Sequence, residues 1–332
     1  MGERMSQADP SGPEPARMPV LYLAGIGRSG STLLERLLGE VPGICSLGEV
    51  MHLWRRGLLL NERCGCSMPF RECSFWQQIG QEAFGGWDRV DAPRMTALAR
   101  TVDDVAHLPK LLGAGHRAFA ADLAEYVSAY EAVYRAARTV TGAQVVVDSS
   151  KATSLVYCLR TATGLDLQVL HVVRDSRGVA YSWTRKVRRP ESTGAEGDYM
   201  PTFSPARVAV LWSGHNLLIQ AVRALGTPVH LAPYEGFVAD PKAFLRSVLH
   251  RCGIPADEST LAAAGADWVE LSVSHQVSGN PMRFQAGRIP VRRDEAWRQA
   301  LPATQRRVVT GLTAPVSGLL RYQSSGRPVG RR

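Results

Sequence analysis

Short apolar runs alternate along the chain with longer stretches in which apolar residues recur at helical spacing. The apolar runs predict buried strands at 20–25, 144–148, 167–173 and 228–233. The stretches between them predict helices at 30–39, 94–112, 116–141, 176–188, 205–225 and 241–252, and a further helix that begins at 151. Strands that alternate with helices form parallel sheets covered on both faces. We therefore expect an α/β fold with a P-loop-like parallel sheet flanked by helices on both faces.

Several segments depart from this pattern. Residues 42–93 are rich in Cys, Gly and Pro and predict an irregular stretch, the first half of a Cys-rich and helical insert at about 42–141. Residues 191–204 predict a mobile loop, and the chain after 253 predicts only short helices and loops. We expect a single domain over 19–323, a disordered tail at 1–18 and a flexible tail at 324–332.

The composition is that of an ordinary globular protein, since 45% of the 332 residues are apolar and 21% are charged. The net charge of +9 suits an anionic ligand, although nucleic acid or an anionic membrane could also explain it. Aromatic residues make up only 7% and no long Lys/Arg tract occurs, so we expect no nucleic-acid partner. No apolar run approaches the ~20 residues of a membrane span, and 1–18 lacks the apolar core of a secretory signal. We expect no transmembrane segment and a cytoplasmic location.

The most informative stretch is the glycine-rich turn between the first strand and the first helix. It matches the P-loop pattern G-x-x-x-x-G-K-[ST] at Gly25, Gly30 and Thr32, with Ser31 in the lysine position. Glycines let backbone amides surround a phosphate, and the helix that follows adds free N–H groups and the positive end of its dipole. Because the lysine that reaches the β- and γ-phosphates is missing, the loop indicates a phosphate-bearing ligand other than a nucleoside triphosphate.

Further phosphate-compatible groups follow the other three predicted strands, at 148–151, 174–182 and 234–235. Ligands of open parallel sheets bind beyond the carboxyl ends of the strands. We therefore expect these groups and the loop to meet in one site.

The loop Gly-Ile-Gly-Arg-Ser-Gly-Ser-Thr, together with Arg174 and a serine eight residues later, resembles the sulfotransferase superfamily. The resemblance extends to Val-Asp-Ser-Ser-Lys at 147–151 and to Tyr234-Glu235 with Asp240-Pro241, and it covers roughly 18–253. These enzymes use 3′-phosphoadenosine 5′-phosphosulfate (PAPS) as co-substrate and require no metal. The resemblance thus implies sulfuryl transfer to a hydroxyl of a small molecule, a glycan or a lipid. Family acceptor pockets come from variable inserts, here 50–140 and 186–206.

The resemblance also implies which residues bind the donor. The loop amides, the Ser31 and Thr32 hydroxyls and the Arg28 guanidinium would hold the 5′-phosphosulfate. Arg174 and its partner serine would hold the 3′-phosphate, a tyrosine would lie near the adenine, and a basic C-terminal loop would close over the 3′-phosphate. The family's cytosolic Arg-Lys-Gly pattern is absent from that loop. The implied donor-binding residues are Gly27, Arg28, Ser29, Gly30, Ser31, Thr32, Arg174, Ser182, Tyr234 and Arg288.

Transfer to an alcohol needs a base for the hydroxyl proton and a positive charge for the leaving oxygen. Glu49 matches the Gly-Glu base of the tyrosyl-protein and carbohydrate branches, and Lys151 matches the lysine that stabilises the bridging oxygen. Ser278 matches a C-terminal contact to the phosphosulfate. The cytosolic branch uses histidine instead, so the competing candidates for the base are His52, His107 and His116.

Two other interpretations of the loop stay open. One is a P-loop kinase or nucleotide-binding protein that lacks the usual lysine, and the other is a nucleotide sensor without catalysis. The basic run of Arg185, Lys186, Arg188 and Arg189 continues the predicted helix, as a solvated face or as a contact for an acidic acceptor.

Six cysteines are too few for a disulfide scaffold in a chain of this length. Three of them cluster as Cys64, Cys66 and Cys73, with Cys45 or His52 as possible fourth ligands of a structural metal. Reduced thiols or a local disulfide explain the cluster more simply, so the sequence leads us to expect no metal.

Overall fold

A parallel sheet of five strands lies at the centre of the computed structural model, which describes residues 17–189 and 199–322. Its spatial order is β2-β3-β1-β4-β5, and all four neighbouring pairs are parallel. This confirms the predicted α/β fold. The strands are β1 (Met18–Ala24), β2 (Ile44–Ser46), β3 (Val145–Lys151), β4 (Leu165–Val173) and β5 (Val229–Pro233).

Apolar side chains on both faces explain why β1 takes the centre of the sheet. Val20 and Tyr22 belong to the core on one face, whereas Leu21 and Leu23 belong to the core on the other. Strands buried on both faces have continuous apolar sequences, as this one does. The helices that flank the sheet or extend its layers are α1 (Ser31–Gly39), α2 (Ser74–Phe84), α3 (Ala92–Val102), α4 (Arg117–Thr141), α5 (Thr153–Leu159), α6 (Ser176–Thr184), α7 (Pro205–Ala224), α8 (Tyr234–Ala239), α9 (Pro241–Arg251), α10 (Trp297–Ala300) and α11 (Ala303–Leu319).

The segment predicted to be irregular contains regular structure, and this prediction was wrong. It contributes the edge strand β2, a π-helix at Leu53–Leu59 and the helix α2. The strand has only three residues, too few for an alternating pattern to show. The helix α2 buries only three residues, Trp76, Ile79 and Gly80, and polar residues separate them in the sequence, so its helical pattern is weak. The long helix predicted at 94–112 is also interrupted, because α3 ends at Val102 before a π-helical turn at Lys110–Ala114.

The C-terminal region is also more regular than expected. An antiparallel pair joins β6 (Trp268–Leu271) to β7 (Gly287–Pro290), and α11 runs for 17 residues. Gly311, Pro315 and Gly318 lie within or near the end of α11, and they hide its helical pattern in the sequence. The helix packs against α6 and α7 and buries Val309 and Val316.

The basic run that follows Ser182 leaves the helix, contrary to the prediction. Helix α6 ends at Thr184, and Arg188 forms a bridge with Tyr199. Arg189 is buried and donates to the buried carboxylate of Glu62, at 2.9 Å. Pro190 follows directly and disfavours helical backbone at the residue before it.

Three predicted segments lie partly or wholly outside the described residues. They are the predicted loop at 191–198, the first tail at 1–16 and all of the second tail. Met18, assigned from sequence to the first tail, is fully buried in β1. Within the described ranges, none of the helices combines the length and the apolarity needed to cross a membrane.

Candidate active site

The carboxyl ends of β1, β3, β4 and β5 open into one cavity of about 700 Å³. Its lining includes groups from all four strand ends, as expected for a ligand site of an open parallel sheet. Most of the residues named from the sequence lie in this lining: Gly27, Arg28, Gly30, Ser31, Thr32, Glu49, Lys151, Arg174, Ser182 and Tyr234.

Close packing sets the shape of the loop after β1. A Cβ atom at Gly25 would lie 2.4 Å from the backbone oxygen of Val172, and one at Gly30 would lie 2.4 Å from the Tyr234 ring. Both glycines have positive φ, and so does Arg28, at 72°. A left-handed conformation costs roughly 1–2 kcal/mol in a residue with a side chain. The loop thus holds a strained arginine at the cavity wall, which is typical of functional sites.

Unsatisfied donors converge at this loop. Gly30 caps α1 without a side-chain hydrogen bond, so the first N–H groups of the helix have no capping partner there. Nε and Nη2 of Arg28 and Oγ of Ser29 are buried and find no hydrogen-bond partner in the part of the chain that the structure describes. The Arg28 guanidinium lies over the Trp183 ring at 5.4 Å. Burial of such donors is costly unless a ligand satisfies them, and this favours an anion.

A second cationic group stands at the end of β4. Arg174 is buried, donates to the backbone oxygen of Arg28 at 3.1 Å and lies over the Tyr234 ring at 4.6 Å. Its Nη2 also pairs with Asp294 Oδ2 at 2.8 Å. Arg174 therefore links the glycine-rich loop to the C-terminal region, and a carboxylate already occupies one edge of its guanidinium.

Glu49 and Lys151 form an ion pair at the cavity, and each is mostly buried. His52 Nε2 lies 3.4 Å from the other carboxylate oxygen of Glu49. Burial alone would raise the pKa of Glu49, but the Lys151 charge and the His52 contact outweigh it and hold this pKa well below its usual range. Glu49 is therefore ionised at neutral pH.

The buried carboxylate of Glu35 holds the Glu49 and Lys151 segments together. It accepts from the backbone N–H of Gly48 at 2.7 Å, from Ser46 Oγ at 2.8 Å and from Ser149 Oγ. Burial raises its pKa to about 7. The sequence offered one signal for this residue, a glutamate among the leucines of the first helix.

The chain matches the family described as the Sulfotransferase family over residues 19–258. The chain belongs to the sulfotransferase family. This confirms the enzyme class that the resemblance implied, a PAPS-dependent sulfotransferase, at the level of the family.

Several solved structures are similar to this sulfotransferase. The sulfotransferase domain of the Synechococcus PCC 7002 olefin synthase is 19% identical, with 92% of this chain and 97% of that chain covered and a TM-score of 0.49. A sulfotransferase of Mycobacterium avium is 12% identical, with 95% and 79% covered and a TM-score of 0.45. A mouse sulfotransferase complexed with PAP is 12% identical, with 94% and 88% covered and a TM-score of 0.41. No curated protein matches the sequence significantly.

Three residues named from the sequence do not line the cavity of this sulfotransferase, and the first of them, Ser29, is buried within the glycine-rich loop. Ser278 is buried and accepts from Arg56 Nη1 at 3.1 Å, while Asn280, two residues later, lines the cavity. Arg288 lies exposed on β7, where it pairs with Glu270 at 3.2 Å and covers the Trp268 ring. The antiparallel pairing of β6 and β7, which the sequence did not predict, holds Arg288 there.

The competing histidines also have distinct places. His52 contacts Glu49, whereas His116 accepts from the Phe119 N–H and caps α4, and the His107 ring packs against Phe119. The sequence missed His215, which lines the cavity from α7 and shares a 2.6 Å hydrogen bond with Thr153. Nothing in its local sequence distinguished it from the other residues of a long helix.

Glu35 gives a prediction for the pH dependence of stability. Its carboxyl keeps a proton up to about pH 7 in the folded chain but loses it near 4.5 when unfolded. The folded state thus binds more protons between these values, and this group lowers the free energy of unfolding as pH rises through that window. In urea unfolding, we expect the free energy of unfolding of the wild type to fall between pH 5 and pH 8 by an amount on the order of 3 kcal/mol that Glu35→Gln removes.

The matched control is Glu82→Gln, on an exposed position of α2. It should leave the pH dependence of unfolding as in the wild type. If Glu35→Gln and the wild type lose the same stability between the two pH values, the assignment of this titration to Glu35 is wrong.

Proposed function

We propose that this chain transfers the sulfuryl group of PAPS to a hydroxyl of a small molecule, a glycan or a lipid, with Glu49 as the base. The observation that carries the proposal is one cavity with two cationic sites and an ion pair. The N-terminus of α1 with Arg28 forms one cationic site, Arg174 forms the other, and Glu49–Lys151 lines the same cavity.

The first cationic site would hold the 5′-phosphosulfate. The uncapped N–H groups of α1, the Ser31 and Thr32 hydroxyls and the orphaned Arg28 nitrogens supply donors without a lysine. These buried donors fit a multiply charged group better than water alone. The serine in the lysine position argues against a kinase, because no side chain there reaches terminal phosphates.

The second site would hold the 3′-phosphate. Arg174 offers a guanidinium fork and Ser182 a hydroxyl, and both line the cavity. The Tyr234 ring packs on Arg174 and on Gly30, and so fixes the distance between the two cationic sites. In this arrangement Asp294 would compete with the phosphate for Arg174, since its carboxylate already pairs with Arg174 Nη2 at 2.8 Å.

Glu49 and Lys151 would divide the chemistry between them. The oxygen of the acceptor hydroxyl forms a bond to sulfur, and the bond from sulfur to the phosphate oxygen breaks. The proton of the acceptor hydroxyl passes to the Glu49 carboxylate. Lys151 would neutralise the charge that develops on that departing oxygen. As the Lys151 charge turns from Glu49 toward the leaving group, the carboxylate becomes a stronger base.

The lining of the cavity bears on the acceptor. Met51 and Val105 come from one predicted acceptor insert, while Met200 and Phe203 come from the other. Trp183 stacks on Phe203 with centroids 4.8 Å apart and extends this apolar wall. An apolar wall binds an apolar body, so we favour a hydroxyl on an apolar small molecule or a lipid over a glycan.

Ligand selectivity provides the first test. Adenosine 3′,5′-bisphosphate should raise the melting temperature in differential scanning fluorimetry, because a ligand that binds only the folded state stabilises it. ATP with Mg²⁺ at the same concentration should have little effect, and Arg174→Ala should abolish most of the bisphosphate shift. A larger shift with ATP–Mg²⁺ would favour the kinase interpretation and refute this one.

The identity of the base provides the second test. Glu49→Gln keeps the shape of the side chain but removes its basicity, and should lower kcat by roughly 10²–10⁴ while bisphosphate affinity stays within a few-fold. His215→Asn is the matched variant, since its amide can keep the hydrogen bond to Thr153. Turnover is measured as sulfated product from an acceptor found by mass spectrometry of lipid and metabolite extracts incubated with PAPS. If His215→Asn loses activity and Glu49→Gln retains it, the base is His215.

The contact between Arg174 and Asp294 provides the third test. Asp294→Asn removes the competing charge but keeps the size of the side chain, so we expect bisphosphate to bind several-fold more tightly in calorimetry. Glu295→Gln is the control, because its exposed carboxylate pairs with Arg293 and Arg298 instead. Weaker binding by Asp294→Asn would show that Asp294 orients Arg174 rather than competing with the phosphate.

A further inference from the structure

Four potential metal ligands converge outside the cavity, where the Cys-rich segment meets the loop that follows β6. They are Cys64, Cys66, Cys73 and His275, and their ligand atoms all lie within 4.8 Å of one another. The fourth member is more than 200 residues from the nearest of the three cysteines, which is why the sequence did not reveal it. The fourth ligands considered from the sequence, Cys45 and His52, are not part of this group.

The distances within the group fit a tetrahedral ion. The Sγ atoms of Cys66 and Cys73 are 3.7 Å apart, and His275 Nδ1 is 3.3 Å from Cys73 Sγ and 3.9 Å from Cys64 Sγ. Zinc bonds of about 2.3 Å to sulfur and 2.0–2.1 Å to nitrogen imply tetrahedron edges of roughly 3.8 Å and 3.6 Å. A disulfide would need two sulfurs at about 2.05 Å, and all six cysteines, each within the described ranges, are free thiols.

Tight local structure presents these ligands to one point. A turn carries Cys64 and Cys66, with hydrogen bonds from Ser67 N to Cys64 O and from Cys64 N to Met68 O, both 2.8 Å. Cys73 stands at the N-terminus of α2. Trp76 Nε1 donates to the His275 backbone oxygen at 2.7 Å and fixes the histidine from the same helix.

Further packing aligns the histidine ring. Phe75 stacks on His275 with centroids 4.9 Å apart and planes at 15°. The backbone of Gly65 donates to Gln276 O at 2.9 Å, and a Cβ atom at Gly65 would lie 2.8 Å from Ser274 O. The two segments therefore touch through their backbones at the point where their ligands meet.

We propose that Cys64, Cys66, Cys73 and His275 bind one Zn²⁺ in a closed structural site. Three sulfurs and one imidazole complete the tetrahedral set that structural zinc sites use, and no position is left for a substrate. Binding displaces the thiol protons, and the His275 Nδ1 lone pair supplies the fourth bond. This departs from the expectation of no metal drawn from the sequence, where only three ligands were in view.

The site would fasten the loop that borders Glu49. After His275, Val277 N donates to Leu47 O at 3.0 Å, and a Cβ atom at Gly279 would lie 3.4 Å from Glu49 Oε1. Asn280 then lines the cavity. The zinc ligands are positioning residues in this scheme, because they act through the loop and do not touch the cavity themselves.

Metal content tests the proposal without recourse to activity. The full chain, purified without a polyhistidine tag under reducing conditions, should contain one zinc per chain by plasma mass spectrometry. Cys73→Ser and His275→Ala should each lose it, whereas Cys252→Ser, at a partly buried cysteine that directly follows α9, should retain it. Zinc at one equivalent in both the wild type and Cys73→Ser would overturn the assignment.

Reconstitution keeps the test decisive if a ligand variant fails to fold. Chelation should lower the melting temperature of the wild type, Zn²⁺ should restore it, and Co²⁺ should give the visible absorption of a tetrahedral thiolate site. A folded wild type that contains no zinc and takes none up after reduction would refute the site, and so would a disulfide between two of the three cysteines. Zinc in an inactive enzyme would leave this site intact and count only against the proposed function.

Discussion

The candidate active site depends on one buried carboxylate. Glu35 sits on the first helix, behind the cavity, and accepts hydrogen bonds from the turn before Glu49 and from the strand end before Lys151. Two segments that are about a hundred residues apart thus meet through a side chain that belongs to neither. Such a group is costly to bury, and its three hydrogen bonds offset that cost only while both segments stay in place. The adjacent Arg36 also joins distant segments, because its buried guanidinium donates to the backbone oxygens of Arg283 and Gln285 in the C-terminal region.

Local sequence predicted much of the frame. Long apolar strands and a glycine-rich turn can be recognised from a few consecutive residues. The positions of β1, β4, α1 and the glycine-rich loop could therefore be predicted from the sequence. Elements that are stabilised mainly by residues far away in the sequence could not be predicted in this way. The three-residue strand β2 is stabilised by its pairing with β3. Strands β6 and β7 pair across the long connection at 272–286, whereas the hairpins that a sequence reveals most clearly have a two-residue turn.

The same distinction applies to the site. Glu49, Lys151 and Arg174 follow from motifs and strand ends, and the structure brings them to one cavity. His215, Asp294 and His275 could not be found in this way, because each is recognised only by a contact with a residue far away in the sequence: Thr153, Arg174 and Cys73, respectively. Ser278 and Arg288 show the converse. The match at Ser278 was two residues away from Asn280, which lines the cavity, and pairing with β6 holds Arg288 on an exposed strand.

Residues 259–322 have a consequence for any shortened version of this enzyme. The family match ends at residue 258, yet the surroundings of Arg174 include Asp294 and Trp297, and the Tyr322 hydroxyl bonds to Glu235, which in turn receives the N–H of Asp175. A fragment trimmed to the matching region would keep the glycine-rich loop but lose one wall of the second cationic site. Domain boundaries drawn from sequence similarity alone would therefore separate Arg174 from the C-terminal residues that surround it.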